Sequence, residues 1–476
     1  MKNKKLYIVA ILAIAITSCK KELNEVNINP NAPEVAQPDY LLTGTTKVTA
    51  DSYWGVTNNM NSSLLFAQHW AKVQYTEEDR FIYSNSSFTA LWSTGYAQSI
   101  AGFNKIIELG DAQGNANYKA VALVLRSWIF LLLTDAYGDI PYSQAGKIKQ
   151  FVTPVYDKQK DVYYGLLNDL KSAQAALDPA GKTIAGDVIY GNNIARWKKF
   201  VNSLRLRIAL RIADKDPAKS KQVIDEIQAE GGAYISSNSE NAIFKYDVSP
   251  QQNPVAASFE TRNDYRISKT IVDKLTSLSD PRLPVYASKT ENAPNGYVGI
   301  PNGSTNSEAS AIGLANSSKP GVYFLDAKAP AVIFSYAELL FDRAEAAARG
   351  FTAEDAEDLY KQAIRASFSQ YNISGTVVED YIKQSGVAYN AANYKKSIGE
   401  QKWIALFGQG LEAWAEQRRL DYPQLTASVN TVLNGKIPVR FIYPGTEQSL
   451  NGQNYKNAVG NQGADLLTTK LWFDAF

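Results

Sequence analysis

Cysteine, histidine and methionine are the scarcest residues of this 476-residue chain, which has one cysteine, one histidine and two methionines. Since Cys19 is the single thiol, an intramolecular disulfide is excluded and the fold must depend on its hydrophobic core. His69 is the single imidazole, so a metal site built from several histidines is excluded as well. Any Ser-His-Asp arrangement would have to use His69.

Excess charge of either sign is also missing. The chain has 49 Lys and Arg residues against 47 Asp and Glu, a net charge of +2, which gives no strong field to attract nucleic acid. A G-x-S-x-G elbow, a P-loop and an H-E-x-x-H motif are absent from the sequence. We therefore predict no catalytic residue, no cofactor, no metal and no nucleic-acid partner.

Adjacent carboxylates leave one enzymatic alternative open. Glu77, Glu78 and Asp79 stand together, and a glycosidase needs only two acidic groups at a suitable distance. Adjacent acids on a polar loop more often face solvent, so the hydrolytic interpretation is the less favoured one.

The N-terminal segment has the three parts of a secretory signal. Three lysines within the first five residues precede the apolar run Leu6–Ile16, and the tetrapeptide Ile-Thr-Ser-Cys ends the segment at Cys19. The run is shorter than the roughly 20 residues of a membrane-spanning helix, and we expect no later run of that length. The tetrapeptide resembles the lipobox of bacterial lipoproteins, which implies removal of residues 1–18 as a signal peptide and a lipid anchor on Cys19. An ordinary signal peptide that ends near a cysteine is the alternative.

Composition divides the remainder into a tether and one domain. Residues 19–39 are rich in Asn, Pro and Glu and are expected to form a lipidated tether. Helical periodicity dominates residues 40–476, which predicts a single mainly α-helical domain. The run Val121–Ala136 is apolar nearly all round, so we expect a buried central helix there. A helix over Asn193–Ala213 carries basic residues, which we interpret as a solvated or ion-paired face.

Two segments have the pattern of tetratricopeptide repeats. Between residues 334 and 370 small and large apolar side chains recur near that spacing, with a turn at Gly350-Phe351-Thr352. A single repeat cannot bury its own face, so we expect another helix pair within residues 118–177. A generic helical hairpin explains either segment almost as well. The predicted fold class is mainly α, a tetratricopeptide-repeat helical scaffold with long irregular loops and little β structure.

Long loops are expected on one side of this scaffold. Residues 289–321 are rich in Asn, Gly, Ser and Pro, and residues 423–476 are similarly irregular apart from a strand-like run at Val439–Tyr443. Long loops in a compact protein are usually functional or disordered. We predict that these two segments form the ligand-facing part of the domain.

Aromatic residues in a polar stretch are the candidate ligand-binding residues. Tyr75, Phe81 and Tyr83 lie among Gln, Asn, Ser and Thr, between Trp70 and Trp92. Exposed rings with polar neighbours are surfaces on which sugar rings or peptide side chains stack. The alternative is that these rings fill the core beneath a loop. Trp92 itself continues a helical stripe, so we expect it in the core.

Several short motifs, specific in their order and spacing, extend over almost the whole chain. They are Asn27-Ile28-Asn29-Pro30-Asn31, Thr134 to Tyr142, Trp197 to Ile212, Trp403 to Phe407 with Glu412 to Trp414, and Arg440 to Pro444 with Glu447 to Asn451. Together they resemble the SusD/RagB family of outer-membrane nutrient-binding lipoproteins, in its SusD-like branch.

The resemblance implies a cell-surface lipoprotein of the outer membrane that binds an oligosaccharide or a peptide without cleaving it. It also implies a SusC-like TonB-dependent transporter as the partner that receives the nutrient. Two alternatives stay open on the sequence alone. One is a lipid-anchored helical-repeat scaffold that binds proteins, and the other is a surface glycoside hydrolase that uses carboxylates.

Overall fold

The computed structural model describes residues 36–292 and 296–475. The predicted signal peptide, the lipidation site at Cys19 and most of the tether lie outside the described residues. The first helix begins at Pro38, so the last two residues assigned to the tether belong to the folded domain.

Helices dominate the described residues, as the sequence predicts. In chain order the α-helices are α1 (Pro38–Trp54), α2 (Leu64–Phe66), α3 (Thr89–Thr94), α4 (Ala101–Ala112), α5 (Ala116–Tyr137), α6 (Gln159–Ala176), α7 (Ile194–Arg211), α8 (Pro217–Ala229), α9 (Pro254–Phe259), α10 (Lys269–Ser277), α11 (Leu283–Tyr286), α12 (Asn306–Ile312), α13 (Val322–Leu325), α14 (Tyr336–Ala348), α15 (Ala356–Ser369), α16 (Thr376–Lys383), α17 (Tyr394–Ala405), α18 (Gly410–Leu420), α19 (Gly445–Leu450) and α20 (Gly452–Gln462). Two π-helical segments occupy Val56–Ser63 and Gly95–Ile100, and short 3₁₀ turns occupy Asn238–Glu240 and Ala391–Asn393.

Four short strands pair into two antiparallel ladders. They are β1 (Trp70–Lys72), β2 (Ala242–Phe244), β3 (Tyr265–Ile267) and β4 (Ala331–Phe334). Strand β1 pairs with β3, and β2 pairs with β4. The small amount of β structure agrees with the predicted fold class.

The strand predicted at Val439–Tyr443 is wrong. This segment belongs to neither ladder, because its backbone forms hydrogen bonds elsewhere. The amide N of Phe441 donates to the carbonyl O of Ala136 at 2.7 Å, and that of Val439 donates to the carbonyl O of Leu467 at 2.7 Å. Arg440, Phe441 and Tyr443 are all buried, so their burial reflects packing against the end of α5 and not the alternation of a sheet.

Helix α5 is the buried centre of the domain. The Asn115 side chain accepts from the amides of Asn117 and Tyr118 and so caps the helix start, and Gly138, at φ +88°, ends it. Length and composition would allow α5 to cross a bilayer, contrary to our expectation, but 89% of its apolar window is buried inside the protein. It packs between α4 and α6, which makes it a core helix.

Both expected helix pairs are present. Helix α5 packs against α6, and α14 packs against α15. The turn between α14 and α15 contains Gly350 at φ +72°, a left-handed conformation that favours glycine. Beyond the turn, the Phe351 amide N donates to the carbonyl O of Ala346 at 2.9 Å, which closes the end of α14.

Two of the basic residues of α7 are ion-paired deep inside the core. The Arg207 guanidinium lies 2.6 Å from the Glu338 carboxylate, and that of Arg211 lies 2.6 Å from Glu412 and also pairs with Glu416. All five side chains are buried. The sequence left open whether the basic face is solvated or ion-paired, and for these two arginines it is ion-paired. The pairs join α7 to α14 and α18.

Candidate functional site

The three predicted ligand-binding rings have different environments. Tyr75 is 65% exposed, whereas Phe81 is 1% exposed and its ring centroid lies 5.7 Å from that of Phe66. Tyr83 is half-buried, and its hydroxyl donates to the carbonyl O of Asn61 at 2.7 Å. The prediction of Phe81 as a surface ring is corrected: it fills the core beneath the loop, because it packs against aromatic neighbours. Tyr75 is the ring of the three that is available for stacking.

The backbone around Tyr75 has an uncommon conformation. Gln68, Tyr75 and Phe81 have φ values of +52°, +52° and +63°, in a region that side chains other than glycine seldom adopt. Such residues persist only where the surroundings fix them, and they cluster at functional sites. Here the Val73 amide N donates to the Asp264 carbonyl O at 2.8 Å. The turn therefore presents the Tyr75 ring to solvent from a fixed backbone.

An arginine supports Tyr75 from the neighbouring strand connection. The guanidinium carbon of Arg262 lies 5.8 Å from the Tyr75 ring centroid. Nε and Nη2 of Arg262 donate to the two carboxylate oxygens of Asp264 at 2.9 and 2.8 Å, and Lys72 Nζ lies 3.2 Å from the same carboxylate. Burial acts to raise the pKa of Asp264, but the hydrogen bonds and charges of Arg262 and Lys72 outweigh it and lower the pKa. The ionised carboxylate fixes the guanidinium beside the ring.

A buried carboxyl group lies beneath this turn. Asp79 is fully buried, where it accepts from Asn302 Nδ2 at 2.8 Å and from the Lys72 amide N at 3.2 Å. Burial raises its pKa from 3.8 to about 7, and the hydrogen bonds offset part of that effect. Asp79 thus connects β1 to the loop that contains Asn302.

The two loop regions predicted to face the ligand both reach this turn. Asn306 Oδ1 accepts from the Thr76 amide N at 3.0 Å, and Asn306 Nδ2 donates to Glu77 Oε1 at 3.2 Å. From the second region, the carbonyl O of Asn430 accepts from Arg80 Nε at 3.4 Å. Asn306 and Asn430 are both exposed. Segments far apart in the chain therefore form one surface.

We refer to the exposed face of this assembly as the Tyr75 surface. It is formed by Tyr75, Glu77, Arg262, Asn306 and Asn430. Its chemistry combines one open aromatic ring with amide, carboxylate and guanidinium groups, which is the combination that orients and stacks a sugar ring.

Charges around the Tyr75 surface nearly cancel. The cations are those of Lys72, Arg80 and Arg262, and the exposed or paired carboxylates are those of Glu77, Glu78, Asp264 and Glu308. The near balance gives no strong field of either sign, so the surface is suited to an uncharged ligand.

The acidic triplet has structural partners. Glu78 pairs with Lys72 at 2.8 Å, Glu77 accepts from Asn306, and Asp79 lies in the core. These contacts position the loop, which is a physical reason for three adjacent acids other than hydrolysis.

The single histidine is enclosed and neutral. Burial lowers the pKa of His69 to about 3, while its Nε2 lies 3.1 Å from the carbonyl O of Trp403. Its ring packs against Trp403 and Phe407. Within the two described ranges, no group of three or more His, Cys, Asp or Glu residues is arranged to hold a metal ion.

Sequence reasoning identified part of this surface. Tyr75 and the two loop regions were predicted, but Arg262, Asn306 and Asn430 were not singled out. The loop composition could have suggested the two asparagines. Arg262 carries no local signal, because the pairing of β1 with β3 brings it to Tyr75 from 187 positions away.

Comparisons with known proteins give a consistent result. A SusD-like family model, described as starch-binding and associating with the outer membrane, matches residues 30–444. A chitin-binding protein of known structure is 30% identical with a TM-score of 0.83, and the match covers 92% of this chain and 100% of that one. A SusD homologue from Bacteroides uniformis is 26% identical with a TM-score of 0.83, at 92% and 100% coverage. A SusD-like protein from Bacteroidetes is 25% identical with a TM-score of 0.81, at 93% and 100% coverage. No curated protein matches the chain.

Proposed function

Because the chain belongs to the SusD-like family of starch-binding proteins that associate with the outer membrane, we propose that it binds an uncharged oligosaccharide on the Tyr75 surface. Members of this family bind nutrients and are not enzymes. The proposal adds the location of the site and the charge class of its ligand.

The exposure of Tyr75 is the observation that carries the proposal. Tyr75 is 65% exposed, has a left-handed backbone conformation and lies beside a fixed guanidinium. A ring that is exposed to this extent contributes little to the core, so the unusual backbone conformation favours a role in binding. Because backbone contacts already fix the turn, ordering it on binding costs little conformational entropy. The exposed amide of Asn306 bonds Thr76 and Glu77, and that of Asn430 bonds Glu308, so each keeps further hydrogen-bonding capacity for a sugar hydroxyl.

The charge balance supports an uncharged glycan. The family description names starch, and the 30% identical relative is named for chitin, both of which are uncharged polysaccharides. A uronate or sulfated glycan would need unpaired cations, and of the three cations at this surface Arg262 and Lys72 are paired with Asp264, which leaves only Arg80, whose Nε donates to the Asn430 carbonyl O.

The cellular setting follows from the family and the N-terminal segment. We propose that Cys19 is acylated, that the domain lies on the cell surface, and that it delivers its glycan to a SusC-like TonB-dependent transporter. Outer-membrane association of the family and the lipobox-like tetrapeptide support this arrangement.

Isothermal titration with malto-oligosaccharides and N-acetylglucosamine oligomers tests the binding site. Tyr75→Ala should weaken binding of whichever series binds by at least tenfold, about 1.4 kcal/mol. Tyr40→Ala is the matched control, because Tyr40 is 72% exposed on α1 and should leave affinity unchanged. Equal affinities for the two variants and the wild type would place the site elsewhere.

A further inference from the structure

A second feature of the surface, an open apolar groove, has no part in the proposed glycan site. It has a volume of about 640 Å³ and lies between α4, the loop of residues 141–154 and α19. Its apolar lining includes Trp92, Tyr96, Ile148, Phe151, Val152 and Leu450. We refer to it as the apolar groove.

The groove carries strongly exposed aliphatic side chains. Ile148, Val152 and Leu450 are 76%, 84% and 74% exposed, and a contiguous apolar patch of this kind marks an interaction site. The loop is fixed at both ends, because the Ser143 amide N donates to Asp157 at 2.8 Å and the Pro154 carbonyl O accepts from a side-chain amide at 2.8 Å. Its apolar residues are thus held open to solvent.

The polar side chains of the groove are already engaged. Gln144 Oε1 accepts from the Val155 amide N at 3.0 Å, and Asn104 Oδ1 accepts from Arg126 at 2.7 Å. The Tyr96 hydroxyl donates to the Pro141 carbonyl O at 2.7 Å. A sugar would find few hydrogen-bond partners here, so the groove is suited to aliphatic side chains.

The described chain begins beside α4, which forms one wall of this groove. Helix α1 runs antiparallel to the segment that leads into α4, since Thr49 Oγ1 lies 2.8 Å from Ser99 Oγ and Thr45 packs against Gly102. Continuing in this direction brings the start of α1, at Pro38, to the later turns of α4.

Those later turns also line the groove, through Lys105 and Glu108. Nine residues separate Ile28 from Pro38, and the ten steps between their Cα atoms can span about 33 Å when extended. Helix α4 has 12 residues and is therefore about 18 Å long. The residues that precede α1 are thus long enough to pass around α4 to the face that lines the groove.

The sequence of that segment complements the groove. Leu23, Val26 and Ile28 supply aliphatic side chains, and Glu22 and Glu25 stand next to the first two. In the groove loop the exposed Ile148 stands between two exposed lysines, Lys147 and Lys149. We propose that tether residues 22–28 dock in the apolar groove, with their aliphatic side chains inside and their glutamates beside these lysines.

Docking would set the distance between the domain and the membrane. From Cys19 to Leu23 the chain spans at most about 14 Å, whereas from Cys19 to Pro38 it spans about 65 Å. A docked tether would hold the domain against the bilayer, and a released one would let it move. This consequence rests on the proposed acylation of Cys19, whereas docking itself does not.

Disulfide trapping tests the proposal in the full mature chain. Cys19→Ser removes the single cysteine, so a pair introduced by Val26→Cys and Ile148→Cys can be followed without background. The pair should form an intramolecular disulfide under mild oxidation at least about tenfold faster than Val26→Cys with Val377→Cys, because a disulfide needs Cα atoms within about 7 Å. Val377 is the control position because it is exposed, at 45%, but does not line the groove: it lies on α16, which packs against α15.

A second variant separates docking from random collision. Adding Leu23→Ser and Ile28→Ser should slow the Val26–Ile148 disulfide to the control rate. Equal rates for both pairs, no change with the serine variants, or a disulfide that joins two molecules and disappears on dilution would each overturn the proposal. No glycan or lipid is present in this assay, so its failure is distinct from failure of the proposed function.

Discussion

Replacing Asp79 by asparagine should remove a large part of the pH dependence of folding stability. Asp79 is fully buried beneath the Tyr75 surface, between Asn302 and the amide of Lys72. Asparagine has the same shape and resembles the protonated acid, but it cannot ionise. The variant therefore isolates the cost of forming the buried carboxylate.

The sign follows from the raised pKa. Burial moves the pKa of Asp79 from 3.8 to about 7, so between these values the folded state holds a proton that the unfolded state has released. The stabilisation is complete below pH 4 and is lost as the pH rises to about 7. At about 1.4 kcal/mol for each unit of pKa, the wild type should lose about 4 kcal/mol relative to Asp79→Asn across this interval.

Urea denaturation followed by tryptophan fluorescence at several values between pH 4 and 8 measures this difference. Asp79→Asn should also lower the free energy of unfolding by about 1–3 kcal/mol at every pH. The reason is that the new amide nitrogen would face an N–H donor, either that of Asn302 or that of Lys72. Asp247→Asn is the control: Asp247 is exposed, and the hydrogen bond from Lys328 lowers its pKa, which gives the opposite sign. Parallel pH profiles for the wild type and Asp79→Asn would refute the reasoning.

Two further predictions concern the core and the ligand. Arg207→Met should lower the free energy of unfolding by about 3–5 kcal/mol, because the buried Glu338 loses its partner, and adding Glu338→Leu should recover part of the loss. Urea denaturation of the single and double variants checks this, and a double variant as unstable as Arg207→Met would contradict it. Glycan affinity should change less than about twofold between 50 and 500 mM NaCl, because an uncharged ligand offers nothing to screen. Titration at both salt concentrations checks this, and a steep decrease would indicate a charged ligand.

The sequence predicted elements whose signal is local. Helix α5 was recognised because its apolar residues recur on every side, and only Ala116 and Asn117, which follow the Asn115 cap, lie outside the predicted pair. The strand predicted at Val439–Tyr443 was wrong because the apolar residues of this segment are buried for another reason. Phe441 and Tyr443 are buried against Phe88 and Trp92, and pattern alone does not distinguish aromatic packing from a ladder.

The same limit applies to the candidate site. Tyr75 and Phe81 are both aromatic residues in a polar stretch, so composition treats them alike. What separates them is long-range packing: Phe81 lies against Phe66, whereas Tyr75 lies beside Arg262. Neither contact has a signal in the intervening sequence, so exposure had to come from the structure.

The way in which charges are used around Tyr75 suggests how ligands are distinguished. Lys72 is fully buried on β1, and its ammonium pairs with both Glu78 and Asp264. Asp264 in turn holds Arg262 beside the ring. A charged ligand would have to compete with these pairs, whereas an uncharged one needs only the ring face and the exposed amides. The paired charges therefore fix the shape of the surface, and specificity should depend on the fit of a sugar ring to that shape.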